Sequence, residues 1–470
     1  MTVHHDEAWR GASHAIGQFV TRFTPHVLCD AHYAAVGRAL VDTVSVAFAG
    51  YHEPAASAAR AYLAGRQAEQ QASLWGPSNV LPLEEAAFYN GVAGHVIDFD
   101  DVSSPMRGHP SIVLLPALTA LAEAFHKTGA EFAAAYVVGF EVIVRLSRPM
   151  ISDHYANGWH ATASVGVLGA TAACANLLGL TQAQTINALG LAVAQAAGTR
   201  ANFGTMAKSF QAGNAAACAV RATLLAACGF DSSPEAMDGK YGFMSLYANN
   251  ECLADSLMRL GDAELEIISS GIEIKKYPLC YATHRTIDGV LDLREAHGLS
   301  LSAVERVHIT SNFRATAPLI YSAPQTGLEA KFSMQYAVAA ALADGYVRLR
   351  SFTQESVRRA DIQAFFPRVT VQEDQGPAFP RWNRIVLHTA QGHRIEKKVT
   401  TLRGGPDSPL TDAQLRDKAS DCFSFVGIDC PSTFLDAAMH LKSTGMRNVM
   451  STLPSVPASA SSSGHCSTRL

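Results

Sequence analysis

Between Asn90 and Ser111 the sequence sets three carboxylates (Asp98, Asp100 and Asp101) and two imidazoles (His95 and His109) between two strongly apolar helical segments. Titratable groups gathered at the edge of a core are where burial and neighbouring charge shift pKa values and where acid–base chemistry is expected. Pro110 disfavours helix at His109 and suits the first position of the helix that follows, so His109 is expected at or beside that helix's N-cap. Free backbone N–H groups and the positive dipole end there favour a bound anion and a neutral imidazole. A surface capping histidine is the plainer reading of the same residue.

Three further stretches carry groups of complementary kind. Asn157-Gly158-Trp159-His160-Ala161-Thr162 places a second imidazole, His160, before an Ala/Gly-rich helix, where packing alone is the alternative. Gly204-Thr205-Met206-Ala207-Lys208-Ser209 brings Lys208 to a helix start, where it either snorkels to solvent or clamps a carboxylate. Lys275-Lys276-Tyr277-Pro278-Leu279-Cys280, followed by Thr283-His284-Arg285, offers ammoniums and a thiol; a solvated charge pair and a buried thiol are the alternatives. Cationic groups converging at helix starts suit a small polycarboxylate, with an imidazole as acid or base for a proton α to a carboxylate. No H-E-x-x-H metal spacing, P-loop, dinucleotide glycine fingerprint or G-x-S-x-G elbow occurs. The alternate spacing of Asp98, Asp100 and Asp101 leaves a Mg²⁺-holding loop as an alternative use of the acids.

The elements that must position these groups are mainly helical. Helix-period apolar residues run through residues 14–65, with a helix over Ala31–Phe48, and again at Glu84–Val96. From Pro110 to Phe230 the pattern predicts helices at Ser111–His126, Gly129–Leu146, Ser164–Leu180, Gln182–Ala197 and Ala212–Cys228, with small residues that let axes approach closely. After about Gly271 β-branched alternation predicts strands at Val304–Ser311, Val369–Gln372, Arg384–Thr389 and Arg394–Thr401, the last two joined by a turn at Ala390–His393. Helices are expected between them at Ala330–Asp344 and near Gln354–Ala360, making an α+β unit. Helix resumes at Asp412–Phe423 and Pro431–Leu441. The expected organisation is thus a mainly α chain: a helical bundle over 1–270, an α+β unit over 271–403, returning helices over 404–450, and a disordered Ser/Ala/Pro-rich tail over 451–470.

Composition narrows the partners. The 470 residues hold 37 Lys+Arg against 41 Asp+Glu, a net charge of -4 that gives no basic field for nucleic acid. Nine cysteines, odd in number, scattered and without a C-x-x-C pair, imply free thiols rather than a disulfide framework, a zinc site or an iron–sulfur centre. Met1–Arg10 shows no export signal, and Val165–Leu180, short and interrupted by Thr171 and Asn176, reads as a buried helix rather than a membrane span. A cytoplasmic location, with no membrane and no nucleic-acid partner, is expected.

At His95–Asp101 with His109-Pro110-Ser111, Gly158–Thr162, Gly204–Lys208, Lys275–His284 and Ala330-Lys331-Phe332-Ser333, in that order, the chain resembles the MmgE/PrpD family over roughly residues 15 to 450. That family holds 2-methylcitrate dehydratases, cis-aconitate decarboxylases and iminodisuccinate epimerases. The resemblance implies a helical domain formed by both ends of the chain with an inserted α+β lid, usually as a homodimer, with no metal or organic cofactor and the site between domains. Residue by residue, Asp98, His109, His160, Lys208 and Lys275 fall on active-site positions of the decarboxylases. Val102 stands where the animal decarboxylases have Thr, Cys280 where they have His, and Gln211 where a His is common. The stretches around Met106–Ser111 and Lys275–Ala282 are similar to the epimerase branch.

The function implied is a cofactor-independent lyase of the 2-methylcitrate dehydratase kind on a small di- or tricarboxylate. Lys208, Lys275 and Arg107 would hold carboxylates, and His160 or His109 would take the α-proton. The alternative is epimerisation through the same carbanion, with Cys280 as an opposed acid/base group should neighbouring lysines favour its thiolate. Cis-aconitate decarboxylation and a non-catalytic metabolite-binding role are the remaining readings.

Overall fold

The computed structural model describes residues 11–64, 71–150, 153–248, 253–262 and 264–456. The expected signal-free segment Met1–Arg10 and positions 457–470 of the expected tail lie outside the described residues. The chain is mainly helical, 56% helix and 9% strand.

The helical part opens with α1 (Ala12–Arg22), α2 (Asp30–Ala49) and α3 (Pro54–Leu63), then a three-residue ladder of β1 (Gln71–Ser73) and β2 (Val80–Pro82). Next come α4 (Leu83–His95), α5 (Ser111–Ala124), α6 (Gly129–Met150), the single turn α7 (Ala161–Ser164), α8 (Gly166–Leu178), α9 (Gln182–Val193) and α10 (Ala207–Ala227). Three short helices follow: α11 (Phe243–Tyr247), α12 (Leu253–Leu257) and α13 (Glu266–Ser269). Small residues set the spacing as expected. A Cβ on Gly91 of α4 would lie 2.6 Å from the Gly213 Cα of α10, and one on Gly213 would lie 2.4 Å from the Phe88 carbonyl. These two helices therefore touch backbone to backbone. The stretch Ala161–Leu178 is long and apolar enough by composition to cross a membrane, yet 89% of it is buried among its neighbours, the character of a core helix.

The α+β part follows with α14 (His284–His297), β3 (Val304–Ser311), α15 (Gly327–Ala330), α16 (Met334–Asp344), α17 (Gln354–Val357), α18 (Ala360–Phe365), β4 (Val369–Glu373), β5 (Asn383–Thr389) and β6 (Arg394–Val399). The strand order is β4-β3-β5-β6, with β3 parallel to β4 and antiparallel to β5, and β5–β6 the hairpin that the alternation predicts. α14 lies on the sheet so closely that a Cβ on Gly289 would come within 2.5 Å of the Ile385 side chain. The chain then returns through α19 (Asp412–Phe425), α20 (Ser432–Met439) and α21 (Met446–Ser451).

Two apolar cores match this division. One gathers side chains from Ala12 to Ile274 and again from Leu410 to Val456; the other runs from Tyr277 to Val399. The Phe48 and Phe423 rings, 4.6 Å apart, tie the returning helices to α2. The start of the expected tail is placed: Val456 is buried and its N–H donates to the Gly76 carbonyl at 2.7 Å.

Several boundaries differ from the sequence reading. α10 starts five residues before Ala212, taking Lys208 and Gln211 into its first turns. The expected helix Ala330–Asp344 is two, because Ser333 is extended and its hydroxyl accepts the Tyr336 N–H, capping α16 afresh. The expected helix near Gln354–Ala360 is likewise split into α17 and α18. α14 was not foreseen; its charged outer face hides the stripe of Ile287, Val290 and Leu293 that enters the second core.

Candidate active site

The loop leaving α4 is sorted by alternation. Ile97 and Phe99 turn into a small apolar cluster with Val46, Ala49, Leu349 and Cys422, so Asp98 and Asp100 turn the other way. Lys418 of α19 donates to the Phe99 carbonyl at 2.8 Å and pairs with buried Asp42, fixing the loop from behind. Asp101 accepts from the Ser111 hydroxyl and, at 3.3 Å, from its backbone N–H, and the hydroxyl also meets Tyr136 Oη at 2.6 Å. Burial pushes the Asp101 carboxyl up to about 8. Asp101 thus pins the start of α5.

Asp98 is the hub. Its Oδ1 accepts from Lys208 Nζ at 2.8 Å, its Oδ2 lies 3.1 Å from Lys275 Nζ, and its carbonyl accepts from that same ammonium at 2.7 Å. Burial alone would raise the Asp98 pKa, but Lys208 and Lys275 outweigh it and hold the carboxyl well below its ordinary range. Behind it, Asp100 Oδ2 meets His95 Nδ1 at 2.7 Å and His109 Nδ1 at 3.1 Å. His95 Nε2 accepts from Lys208 Nζ at 2.8 Å, so the His95 proton belongs on Nδ1, facing Asp100. Burial pulls His95 down to about 4 against the pull of Asp100. His95, Asp100 and His109 bring ligand-type atoms within 4.8 Å of one another, and the shared carboxylate meets both imidazoles at hydrogen-bond distance. The three acids that could have shared a Mg²⁺ ion instead take separate partners: two ammoniums, two imidazoles and a serine.

His160 stands at the start of α7, its N–H bonded to the Gly198 carbonyl at 3.1 Å, which a left-handed Gly198 (φ 120) presents. Gln211 Oε1 lies 2.6 Å from His160 Nδ1, and the Gln211 amide nitrogen donates to the Thr199 carbonyl at 3.1 Å. That second bond orients the amide, so an acceptor faces Nδ1 and the proton of the neutral ring sits there. Nε2 is left as a bare lone pair, buried and without a hydrogen-bond partner. Burial, with Lys208 next, holds the His160 pKa well below 6.5. A neutral imidazole with a free lone pair is a general base in waiting.

All seven residues singled out from the sequence (Asp98, Arg107, His109, His160, Lys208, Lys275 and Cys280) line one cleft of about 190 Å³ between the two parts of the molecule. The thiolate reading of Cys280 does not hold. Burial, reinforced by Asp98, pushes the thiol up to about 11 despite Lys275, so it stays protonated at neutral pH. Val102 also lines the cleft, and its backbone pairs with Glu273, whose carboxylate accepts the Ser104 N–H at 2.6 Å. Asp98, Arg107 and Arg314 each adopt positive φ (55, 53 and 56°). For a non-glycine residue this costs on the order of 1–3 kcal/mol and collects at functional sites.

Sequence reasoning missed four contributors. His95 was in view but not assigned a site role. Gln211, named only as standing where a His is common, follows Lys208 by three residues and so shares its helix face. Arg314 and Arg381 come from loops of the α+β part and carry no local motif.

The fold and cleft define a two-part, mainly helical protein with a cationic, imidazole-bearing pocket at the junction. Residues 14–254 match the MmgE/PrpD N-terminal domain and residues 277–429 the MmgE/PrpD C-terminal domain. The chain is 28% identical over 446 residues to cis-aconitate decarboxylase of Homo sapiens, covering 91% of this chain and 92% of that one. It is 30% identical over 398 residues to that of Mus musculus (81% and 80%) and 25% identical over 316 residues to that of Aspergillus terreus (62% and 64%). The chain belongs to the MmgE/PrpD family, and with these relatives it is an enzyme of the lyase class.

Proposed function

We propose that the enzyme eliminates water from a small hydroxy-tricarboxylate of the 2-methylcitrate type, starting with proton removal α to a carboxylate. The observation that carries this reading is the His160 tautomer: Nδ1 is committed to Gln211 and Nε2 faces the cleft as an unprotonated base. In the proposed step His160 Nε2 takes the α-proton and the C–H electrons form the carbon–carbon double bond. The C–O bond breaks, and the hydroxide leaves as water with a proton from His109. Lys208 and Lys275 hold the carboxylate whose α-carbon reacts and stabilise the charge that develops on it. Arg107 holds carboxylate further out. These roles use the protein's own side chains, with no cofactor.

Decarboxylation of cis-aconitate is the second reading, favoured by the names of the relatives. Against it stand two positions that line the cleft, Val102 and Cys280, where the family resemblance implies a Thr and a His in the animal decarboxylases. Epimerisation is less well served, because its reverse direction needs an ionised partner and Cys280 holds its proton. A cytoplasmic location belongs to the same proposal, supported by every described cysteine being a free thiol. So does a homodimer, supported by the family resemblance and by the apolar groove between α3, α4 and α10 where Tyr62, Met206 and Phe210 are exposed.

The test is a substrate panel of 2-methylcitrate, citrate, cis-aconitate and iminodisuccinate followed by proton NMR in D₂O. Water loss from a hydroxy-tricarboxylate is expected, and His160→Gln should lower that turnover by about 10²- to 10⁴-fold with an unchanged melting temperature. Release of CO₂ from cis-aconitate without dehydration of any hydroxy acid would overturn the reading in favour of decarboxylation. Deuterium exchange at an α-carbon without net conversion would point to epimerisation. Full activity in His160→Gln would remove that base.

A further inference from the structure

Three guanidiniums stand at the outer end of the cleft with no carboxylate to meet them. Arg107 comes from the loop between α4 and α5, Arg314 from the segment after β3, and Arg381 from the segment before β5. Among the described residues their guanidinium partners are aromatic faces and a carbonyl. Arg107 lies over Tyr155 at 5.6 Å and over Phe379 at 5.7 Å. Arg381 lies over Phe379 at 4.6 Å and donates from Nη1 to the Phe313 carbonyl at 3.2 Å, while Arg314 lies over Phe313 at 5.1 Å. Glu373, the carboxylate that acts electrostatically on Arg381, is already committed. It accepts the backbone N–H of Arg314 and of Thr316, both at 2.8 Å, and the Thr316 hydroxyl at 2.6 Å.

The cations also disfavour one another. Burial, then Arg314 and Arg200, push Arg107 down; burial, then Arg107 and Arg285, push Arg381 down to about 10. Like charges brought together without an anion form an incomplete arrangement, and guanidiniums are the groups best shaped to take a carboxylate edge-on. The backbone gives independent support. Of the four described non-glycine residues with positive φ, three line this cleft, and two of those are Arg107 and Arg314. Such conformations persist where the surrounding structure imposes them, and they gather at ligand clamps.

We propose that Arg107, Arg314 and Arg381 form a second carboxylate subsite, separate from the inner one at Lys208 and Lys275, that reads the far carboxylate of the substrate. It rests on the lyase reading for its catalytic meaning. The inner ammoniums share Asp98, whereas the outer arginines have no acid of their own. The two subsites together engage two carboxylates set far apart, which a citrate-type tricarboxylate offers through its two arms and a succinate-type dicarboxylate such as citramalate, with one carbon fewer between its carboxylates, does not. Because Arg107 belongs to the helical part and Arg314 and Arg381 to the α+β part, the carboxylate they hold is gripped by both parts at once. The Arg314 side chain is exposed where it lines the cleft.

The experiment is calorimetric titration of the full chain with citrate, 2-methylcitrate and cis-aconitate, and with citramalate, which lacks one carboxylate arm of citrate. The parent should bind at least one tricarboxylate more tightly than citramalate. Arg314→Met and Arg381→Met should each weaken that tricarboxylate by about 10- to 100-fold and bring it toward the citramalate value, and Arg381→Lys should restore only part of the loss. Thermal melts of the variants without ligand separate lost binding from lost folding. Parental tricarboxylate affinity in both Met variants, or no binding of any tricarboxylate by the parent, overturns the subsite. Weakened binding in the variants, with no turnover of any panel substrate by the parent, leaves the subsite standing and sinks the lyase reading alone.

Discussion

The proton on the His160 ring is placed by an amide rather than by a carboxylate, and that choice sets the base strength. Gln211 Oε1 accepts from Nδ1 without adding negative charge, so burial and Lys208 keep the ring neutral far below its ordinary titration range. A base whose pKa is lowered is in its working form above that lowered value, so activity that depends on it should fall off only at pH well under 6.5. Gln211→Glu tests this at one residue. A carboxylate in the same place favours the imidazolium, and an opposite charge at that distance raises a pKa by about 1–3 units. The acid limb of the kcat/KM profile should therefore move up by at least about one pH unit. An unmoved limb would show that His160 does not titrate in the rate-limiting step. At this scale the sequence was informative wherever a motif was local: Asp98, His109, His160, Lys208 and Lys275 could be named from short stretches, and the structure brings them to one cleft. It was silent on which imidazole has a free lone pair, because that depends on Gln211, 51 residues from His160.

Helices carry these residues to one another, and the closest crossing is the one that matters most for the hub. α4 ends at His95 and α10 begins one residue before Lys208, and the two meet through Gly91 and Gly213. A methyl group on Gly213 would sit 2.4 Å from the Phe88 carbonyl, a contact backbone cannot relieve without the helices moving apart. Gly213→Ala should cost about 1–3 kcal/mol of stability and also lower kcat, because parting the helices draws Lys208 from His95 and Asp98. Gly445→Ala, where an added Cβ meets nothing within 4 Å, is the control; it should leave kcat unchanged and, as the N-cap of α21, cost at most about 1 kcal/mol. Equal melting temperatures and rates for the two variants would show that the crossing tolerates adjustment. The long helices were legible because each repeats its apolar stripe over three or more turns. The break at Lys331–Ser333 was not, since a cap such as Ser333 overrides periodicity on either side, whereas the turn at Gly204-Thr205 places Lys208 at the start of α10. The β1–β2 ladder escaped for a similar reason: three residues per strand are too few to alternate.

Across the whole molecule the net charge and the cleft have opposite signs. The chain carries -4 overall, which repels a trianion at long range. The cleft, in contrast, is lined by six cationic side chains, Arg107, Lys208, Lys275, Arg285, Arg314 and Arg381, against the single carboxylate Asp98. Low-dielectric walls focus such a field and can raise the encounter rate of an oppositely charged ligand by about 10- to 10³-fold. Which of the two fields the substrate meets depends on the screening length, about 30 Å at 0.01 M salt and about 3 Å at 1 M. Were the overall charge dominant, added salt would relieve repulsion and kcat/KM would rise. With the cleft dominant, salt weakens capture, and kcat/KM for a tricarboxylate should fall by about tenfold or more across that range. The value of kcat should change far less, because the inner contacts of Asp98 with Lys208 and Lys275 are buried and screened little. A dicarboxylate should show a shallower fall than a tricarboxylate, since it engages fewer of the six cations. A rising or flat dependence for the tricarboxylate would mean that the arginines at the mouth do not govern its approach.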